Sequence, residues 1–267
     1  MDNARFGFIG CGNIAGAILH GMTASGYIKP EQIGLYDLEA DKAAHALPGA
    51  TVYSAAAELA AACKYVFLTV KPQVYPSVLA EIRAHITPDT CLITVAAGRT
   101  IAYIKEQVGF DCKVIRVMPN TPLMVGAGAS ALVKASPVSD QEFETVSQCF
   151  SSCGVVCTVD EAQMDAVTAV SGSSPAFIFR FAKKLVEAGV ARGLSCEDAE
   201  ALVAGTLLGS ARMILESGRS IDELIRMVTS PNGTTEAGLK AMDTAGFDGA
   251  VEAAVDAATR RSVELRV

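Results

Sequence analysis

The chain of 267 residues has no tryptophan and only three histidines. His20, His45 and His85 all fall on helical stretches of the N-terminal half, as surface residues do, so chemistry built on an imidazole base is not expected. No apolar run approaches the roughly 20 residues that a helix needs to cross a bilayer, and no membrane partner is expected. There is no excess of positive charge. The formal net charge is −7, and an acidic chain repels phosphate backbones, which argues against nucleic acid. The N-terminal stretch has neither a basic segment nor a long apolar one of the kind that signal peptides carry, so the expected location is cytoplasmic. Histidine is also missing around the one cysteine cluster, Cys149, Cys153 and Cys157, whose spacing matches no zinc pattern. No metal is expected there. The eight cysteines lie among apolar residues, as buried reduced thiols do.

What the chain does have is a globular mixture, 51% hydrophobic and 19% charged, enough for one large or two modest domains. Up to about Asp160, short runs rich in Val, Ile, Leu and Phe alternate with amphipathic stretches. Strands are expected over 5–10, 32–36, 65–70, 91–95, 113–118, 129–133 and 155–159, with helices between them. Continuous apolar strands suit a parallel sheet covered on both faces, so residues 1–160 read as a doubly wound α/β, Rossmann-like domain. After Asp160 alanine becomes dense and strand signals vanish, and residues 161–267 read as an all-helical domain. Ser174-Pro175 is expected to open one of its helices, with the serine as cap. The stretches 199–214 and 250–263 are apolar on more than one side, which predicts packing against a second chain.

Gly10-Cys11-Gly12-Asn13-Ile14-Ala15 fits the G-x-G-x-x-G/A turn, after a strand and before a helix. Gly10 permits the tight turn, Gly12 lets a pyrophosphate approach the backbone, and Ala15 allows close helix–strand packing. The free N–H groups of the helix start then face the phosphates. Asp37, at the end of the second strand, suits a ribose 2′-hydroxyl and repels a 2′-phosphate, which favours NADH over NADPH. Its structural alternative is to cap the next helix. Val70-Lys71-Pro72, Ala96-Ala97-Gly98 and Asn120 follow later strands, at the carboxyl ends where open sheets bind ligands.

Two polar stretches stand apart from that turn. Ser171-Gly172-Ser173-Ser174 leads into a helix and presents donors at its positive end. Thr229-Ser230-Pro231-Asn232-Gly233-Thr234-Thr235 joins two helices, and its backbone N–H groups and hydroxyls can form an anion nest.

In order along nearly the whole chain, Phe8-Ile9-Gly10-Cys11-Gly12-Asn13, Val70-Lys71-Pro72, Ala96-Ala97-Gly98, Met118-Pro119-Asn120-Thr121-Pro122, Ser171 to Ala176 and Ser230 to Thr235 resemble the landmarks of the pyrroline-5-carboxylate reductases. The last stretch is the most specific. The chain departs from the family pattern at Asn232, where glycine is usual, at Phe177, where tyrosine is common, and at Asp37, which favours NADH in a family that usually prefers NADPH. The resemblance implies reduction of the C=N bond of Δ1-pyrroline-5-carboxylate to L-proline. It implies a dinucleotide on Gly10, Cys11, Gly12, Asn13, Ile14, Ala15, Asp37, Val70, Lys71, Pro72, Ala96, Ala97, Gly98 and Asn120. It places the substrate on Thr229, Ser230, Asn232, Gly233, Thr234, Thr235 and Ser173, with the Thr235 hydroxyl as the catalytic group near the ring nitrogen. It also implies a homodimer, with dimers able to assemble into rings. The alternative of a β-hydroxyacid dehydrogenase needs a lysine with an amide one turn on. Lys183 and Lys184 have Glu187 and Ala188 there instead.

Overall fold

The first strand, β1 (Phe6–Ile9), is wholly buried because both its faces are covered, which is why its apolar residues do not alternate with polar ones. The structure, a computed structural model, describes residues 5–266. After β1 come α1 (Asn13–Ala24), β2 (Ile33–Tyr36), α2 (Ala40–Ala46), β3 (Thr51–Val52), α3 (Ala56–Ala62), β4 (Tyr65–Leu68), α4 (Tyr75–Ile82), β5 (Cys91–Thr94), α5 (Ile101–Val108) and β6 (Lys113–Met118). Then β7 (Gly128–Lys134), α6 (Asp140–Ser151) and β8 (Gly154–Thr158) complete an eight-stranded sheet in the order β3-β2-β1-β4-β5-β6-β7-β8. The order turns back beside β1, between β1 and β4, and there the ends of the strands leave a crevice.

Alternate strand residues feed two cores. Phe8, Tyr65 and Phe67 pack under Ile18, Leu19 and Phe150 of α1 and α6. Val66, Leu68 and Leu92 pack under Leu59, Leu79 and Ile104 of α3, α4 and α5. Every helix–strand crossover between β1 and β6 yields a parallel pair. The expectation of a parallel sheet fails at one junction: β7 is antiparallel to β6. The link between them holds only the short turn 121–125, too brief for a crossover. Strand β3 escaped the sequence reading because two exposed residues at the sheet edge carry no periodicity.

The α6 start shows how side chains fix these elements. Ser139 accepts from the Glu142 N–H, while Glu142 accepts from the Ser139 N–H and hydroxyl, a reciprocal cap. Burial alone would raise the Glu142 pKa, but bonds from Lys113, Ser139 and Lys64 outweigh it and hold the carboxyl at about 2, down from 4.5. A depressed carboxyl contributes stability that is full above its unfolded pKa and is lost as pH falls toward its folded one. Glu142→Gln is therefore expected to cost roughly 2 kcal/mol near neutral pH. Denaturant titrations should show that deficit shrinking between about pH 4.5 and 2. A deficit independent of pH would mean that packing, not charge, is what Glu142 supplies.

The remaining helices are α7 (Met164–Val167), α8 (Ser174–Val190), α9 (Cys196–Glu216), α10 (Ile221–Met227), α11 (Thr234–Thr244) and α12 (Phe247–Glu264). The expected helix start at Ser174 is corrected. The chain is already helical from Met164 and passes through a π turn at 168–173 into α8. Pro175 has no N–H to donate within the helix, and the widened turn accommodates it.

The chain groups into two compact units, one holding the sheet, the residues up to Ser173 and those from Ala258, the other Ser174–Ala257. Met164 belongs to the core under the sheet, which explains why packing carries the first unit beyond residue 160. In the second unit α8 lies against α9, where Gly189 lets Leu194 and Ala199 approach closely. Of α9, all of whose residues are described, only Ala199 is buried, and Leu202, Leu208, Ile214 and Leu215 are exposed. Among the described residues, no helix is long and apolar enough to cross a membrane.

Candidate active site

The glycine turn adopts the geometry that its spacing predicts. Gly10 sits at φ +97, and a Cβ there would lie 2.9 Å from Val70 Cγ1 and 3.0 Å from the Thr69 carbonyl. Gly12 caps α1 with ordinary extended backbone, and a Cβ there would meet nothing within 4 Å. The first glycine is thus required by the protein's own packing, while the second faces open space. Ala15 is fully buried. Asn13 and Ile14 form the first turn of α1, whose early N–H groups have no intrahelical acceptors. This open, donor-rich end fits a pyrophosphate.

Asp37 does more than the sequence suggests. Its Oδ2 accepts from the Cys11 N–H at 2.7 Å, and its Oδ1 from the Glu39 N–H at 2.9 Å. One carboxylate therefore ties the end of β2 to the glycine turn. It does not cap α2, whose cap residue is Glu39. Each oxygen keeps a further lone pair for a ligand hydroxyl. The half-buried thiol of Cys11, within the turn, is pushed up to about 12, first by burial and then by the Asp37 charge, so it stays neutral and inert.

Gly10, Gly12 and Asp37 line a cleft of about 420 Å³ that also takes in Val70 and Lys71, whereas Cys11, Asn13, Ile14 and Ala15 are not part of its wall. Thr69, Glu39 and Glu81 line it too, and sequence reading missed them. Thr69 Oγ1 donates to the Gly10 carbonyl at 2.6 Å and fastens the turn to β4. Its place beside Val70 was a usable signal. Glu81 comes from α4 and carried none. Lys42 is held by Glu39 at 2.5 Å, and among the described residues no arginine lines the cleft. The end that would meet a ribose 2′ substituent is acidic.

The other expected contacts lie in the same unit but not among the residues that line this cleft. Pro72 begins a short turn, and its carbonyl accepts two bonds from Arg99, at 2.7 and 3.2 Å. Ala96 and Gly98 are buried after β5, with Ala97 half-buried between them. The Asn120 amide clamps the end of β6, accepting from the Ala129 N–H at 2.9 Å and donating to the Ser171 carbonyl at 3.3 Å. Ser173 ends the π turn, so it does not stand at a free helix start as the sequence suggested.

The second unit holds the Thr229–Thr235 loop, between α10 and α11. Thr229 Oγ1 donates back to the Ile225 carbonyl at 2.7 Å. Asn232, at φ 61, is the left-handed residue. Gly233 itself has extended backbone, and it is glycine for space, since a Cβ would lie 2.4 Å from Ser230 Oγ. The nest thus turns on Asn232, not on Gly233. Its N–H donates to Glu236 Oε2 at 2.7 Å, and Glu236 also pairs with Lys240 at 2.9 Å. Gly233 caps α11 with no side-chain bond, so Thr234 and Thr235 open that helix with N–H groups that no helical carbonyl reaches. Two hydroxyls stand at a positive helix end, suited to a carboxylate. All three histidines are exposed, as expected.

Residues 161–265 match the family model described as pyrroline-5-carboxylate reductase dimerisation, and residues 5–98 match the one described as NADP oxidoreductase, coenzyme F420-dependent. The chain is 40% identical to the pyrroline-5-carboxylate reductase of Pseudomonas aeruginosa, covering 99% of this chain and 98% of that protein. The solved pyrroline-5-carboxylate reductase of Coxiella burnetii superposes with a TM-score of 0.93 at 33% identity, over 99% of both chains. The Plasmodium falciparum pyrroline carboxylate reductase, crystallised with NADP bound, does so with a TM-score of 0.88 at 32% identity over 100% of both. A glycine turn at the sheet's crevice and a donor-rich helix start in the helical unit, in a chain alike to these proteins from end to end, mean that it belongs to the pyrroline-5-carboxylate reductase family.

Proposed function

We propose that the protein reduces the C=N bond of Δ1-pyrroline-5-carboxylate to give L-proline, the last step of proline synthesis. The observation that carries this reading is the uncapped start of α11 at Gly233-Thr234-Thr235, in a chain that also has the open Gly12 turn. The substrate carboxylate rests on the N–H groups of Thr234 and Thr235, with Ser230, Asn232 and Thr229 shaping the loop. Ser173 is a further proposed contact. A bound dihydronicotinamide supplies the hydride to the imine carbon. Thr235 Oγ1 hydrogen-bonds the ring nitrogen and relays to it a proton drawn from solvent as the hydride reaches the carbon, so the C=N bond becomes a C–N bond and the nitrogen ends as an amine. The chain's part is to hold and orient, and no titrating side chain is needed. The direct test is loss of NADH absorbance with pyrroline-5-carboxylate, repeated with NADPH. No turnover with either would overturn the assignment.

NADH is the favoured reductant, NADPH the alternative. Asp37, Glu39 and Glu81 around the cleft support this, with Lys42 already neutralised. Of the cofactor contacts proposed from sequence, Gly10, Gly12, Asp37, Val70 and Lys71 line that crevice. Cys11, Asn13, Ile14, Ala15, Pro72, Ala96, Ala97, Gly98 and Asn120 are proposed on the family resemblance. Asp37→Ser is expected to raise kcat/KM for NADPH roughly tenfold by removing like-charge repulsion. It should also weaken NADH, because the Cys11 N–H loses its acceptor. A wild type that prefers NADPH and does not respond to the change would leave Asp37 with a structural task only.

The helical region 161–267 is proposed as the dimerisation and substrate domain, and homodimers as the unit that builds any larger ring. The exposed Leu202, Leu208, Ile214 and Leu215 of α9 support a buried partner face. Sedimentation should give a dimer at micromolar concentration. A stable, active monomer would rule that out.

A further inference from the structure

The last turn of α12 has no part in the chemistry above, yet its residues are built into the sheet unit. Ser262, 4% exposed, donates from Oγ to Asp165 Oδ1 at 2.7 Å, and Asp165 is itself 3% exposed. The other Asp165 oxygen, Oδ2, is buried without a hydrogen bond among the described residues and meets the Arg266 guanidinium only as an ion pair. A buried carboxylate is costly unless it is paired, so both contacts are strongly favoured over a frayed terminus. Between them lies Leu265. Its carbonyl oxygen would be 2.4 Å from a Cβ at Gly98, a residue already at φ +75. Gly98 is therefore glycine because the C-terminal backbone rests on it.

That contact bears on the cofactor crevice. The next residue, Arg99, donates two bonds to the Pro72 carbonyl, and Lys71 beside Pro72 lines the cleft. Two residues further, the Ile101 N–H donates to Glu161 Oε1 at 2.9 Å, and that oxygen also accepts from buried Arg116 at 3.1 Å. The 96–101 segment is thus pinned at Pro72 and at Glu161, and Leu265 closes over its Gly98 end.

We propose that the C-terminal turn is a positioning latch for the dinucleotide. Asp165 grips Ser262 and Arg266, the grip seats the Leu265 carbonyl on Gly98, and the seated loop fixes the Ala96–Gly98 and Lys71–Pro72 walls. Ser262, Leu265 and Arg266 act through those walls and touch neither reactant. The inference rests on reading these walls as cofactor contacts.

The test uses the full chain with Ser262→Ala, Arg266→Gln and the pair together, with Ser262→Thr as the conservative variant. NADH affinity is read by nicotinamide fluorescence, well below each variant's Tm, beside steady-state kinetics. The double variant should show Kd and KM for NADH raised roughly tenfold, the loss expected of bonds to a buried charge. KM for pyrroline-5-carboxylate should hold, and Ser262→Thr should restore NADH binding. A lowered Tm with unchanged NADH Kd means that the turn only stabilises the fold, which overturns the latch. Arg266→Gln alters a partly exposed residue, so it decides the matter even if the double variant fails to fold. Wild type that binds no NADH overturns the cofactor reading itself. Wild type that binds it, with variants that bind equally well, removes the latch and leaves that reading standing.

Discussion

Gly12→Val is expected to lower NADH affinity by a hundredfold or more while leaving the fold almost intact. Nothing lies within 4 Å of the Cβ that the valine would add, and Gly12 has the extended backbone that any residue adopts. The side chain therefore fits the free protein. It also fills the space through which a pyrophosphate reaches the N–H groups of α1, and losing those contacts is worth about 3 kcal/mol, roughly a hundredfold in Kd. Valine is a poorer helix cap than glycine by about 1 kcal/mol, so Tm should drop by only a few degrees. Gly10→Val is the contrasting control. Gly10 has φ +97 and the Thr69 carbonyl at 3.0 Å, so this variant should be destabilised before any cofactor is added. Calorimetry and fluorescence titration separate the two. Gly12→Val binding NADH like wild type would mean that the pyrophosphate does not cross this turn.

Thr235→Val should lower turnover roughly ten- to a hundredfold, since a hydrogen bond to a developing charge is worth about 1.5–3 kcal/mol. The change keeps the side chain's shape. The Thr235 N–H, which belongs to the backbone, still serves the carboxylate, so KM for pyrroline-5-carboxylate should rise only modestly. NADH affinity should stay near wild type, because the glycine turn lies in the other compact unit. Thr229→Val is a useful companion. Thr229 Oγ1 already donates to Ile225, so its loss should loosen the loop and raise KM without the same fall in kcat. Near-normal turnover by a well-folded Thr235→Val enzyme would assign protonation to solvent or to an already protonated iminium.

Much of this was legible in the chain. The two-domain plan could be read because a buried parallel strand needs a continuous apolar run, and Tyr65–Leu68 and Cys91–Thr94 are such runs. The glycine turn could be read because backbone sterics act locally: φ +97 at residue 10 favours glycine, before the contacts with Val70 and Thr69 are considered. The Ser195 and Ser220 caps of α9 and α10 are local in the same way, since each hydroxyl accepts from an N–H three residues on. Local interactions leave local signatures.

Contacts between distant segments leave none, and the tertiary structure alone decided them. Asp37 became the brace of the glycine turn only when β2 was laid beside β1. Glu81 became part of the cleft only when α4 crossed back over the sheet. The antiparallel β7 followed from a link too short to cross over, and the helix through 164–190 followed from a π turn that absorbs Pro175 where a cap was expected. Gly98 read as a ligand-side glycine, and the atom that a Cβ there would strike first proved to be the carbonyl oxygen of Leu265, in the part of α12 and its end that belongs to the sheet unit. Backbone shape within a few residues is set by the residues themselves. Which side chain meets which across the sequence is set by packing, and packing has to satisfy the whole chain at once.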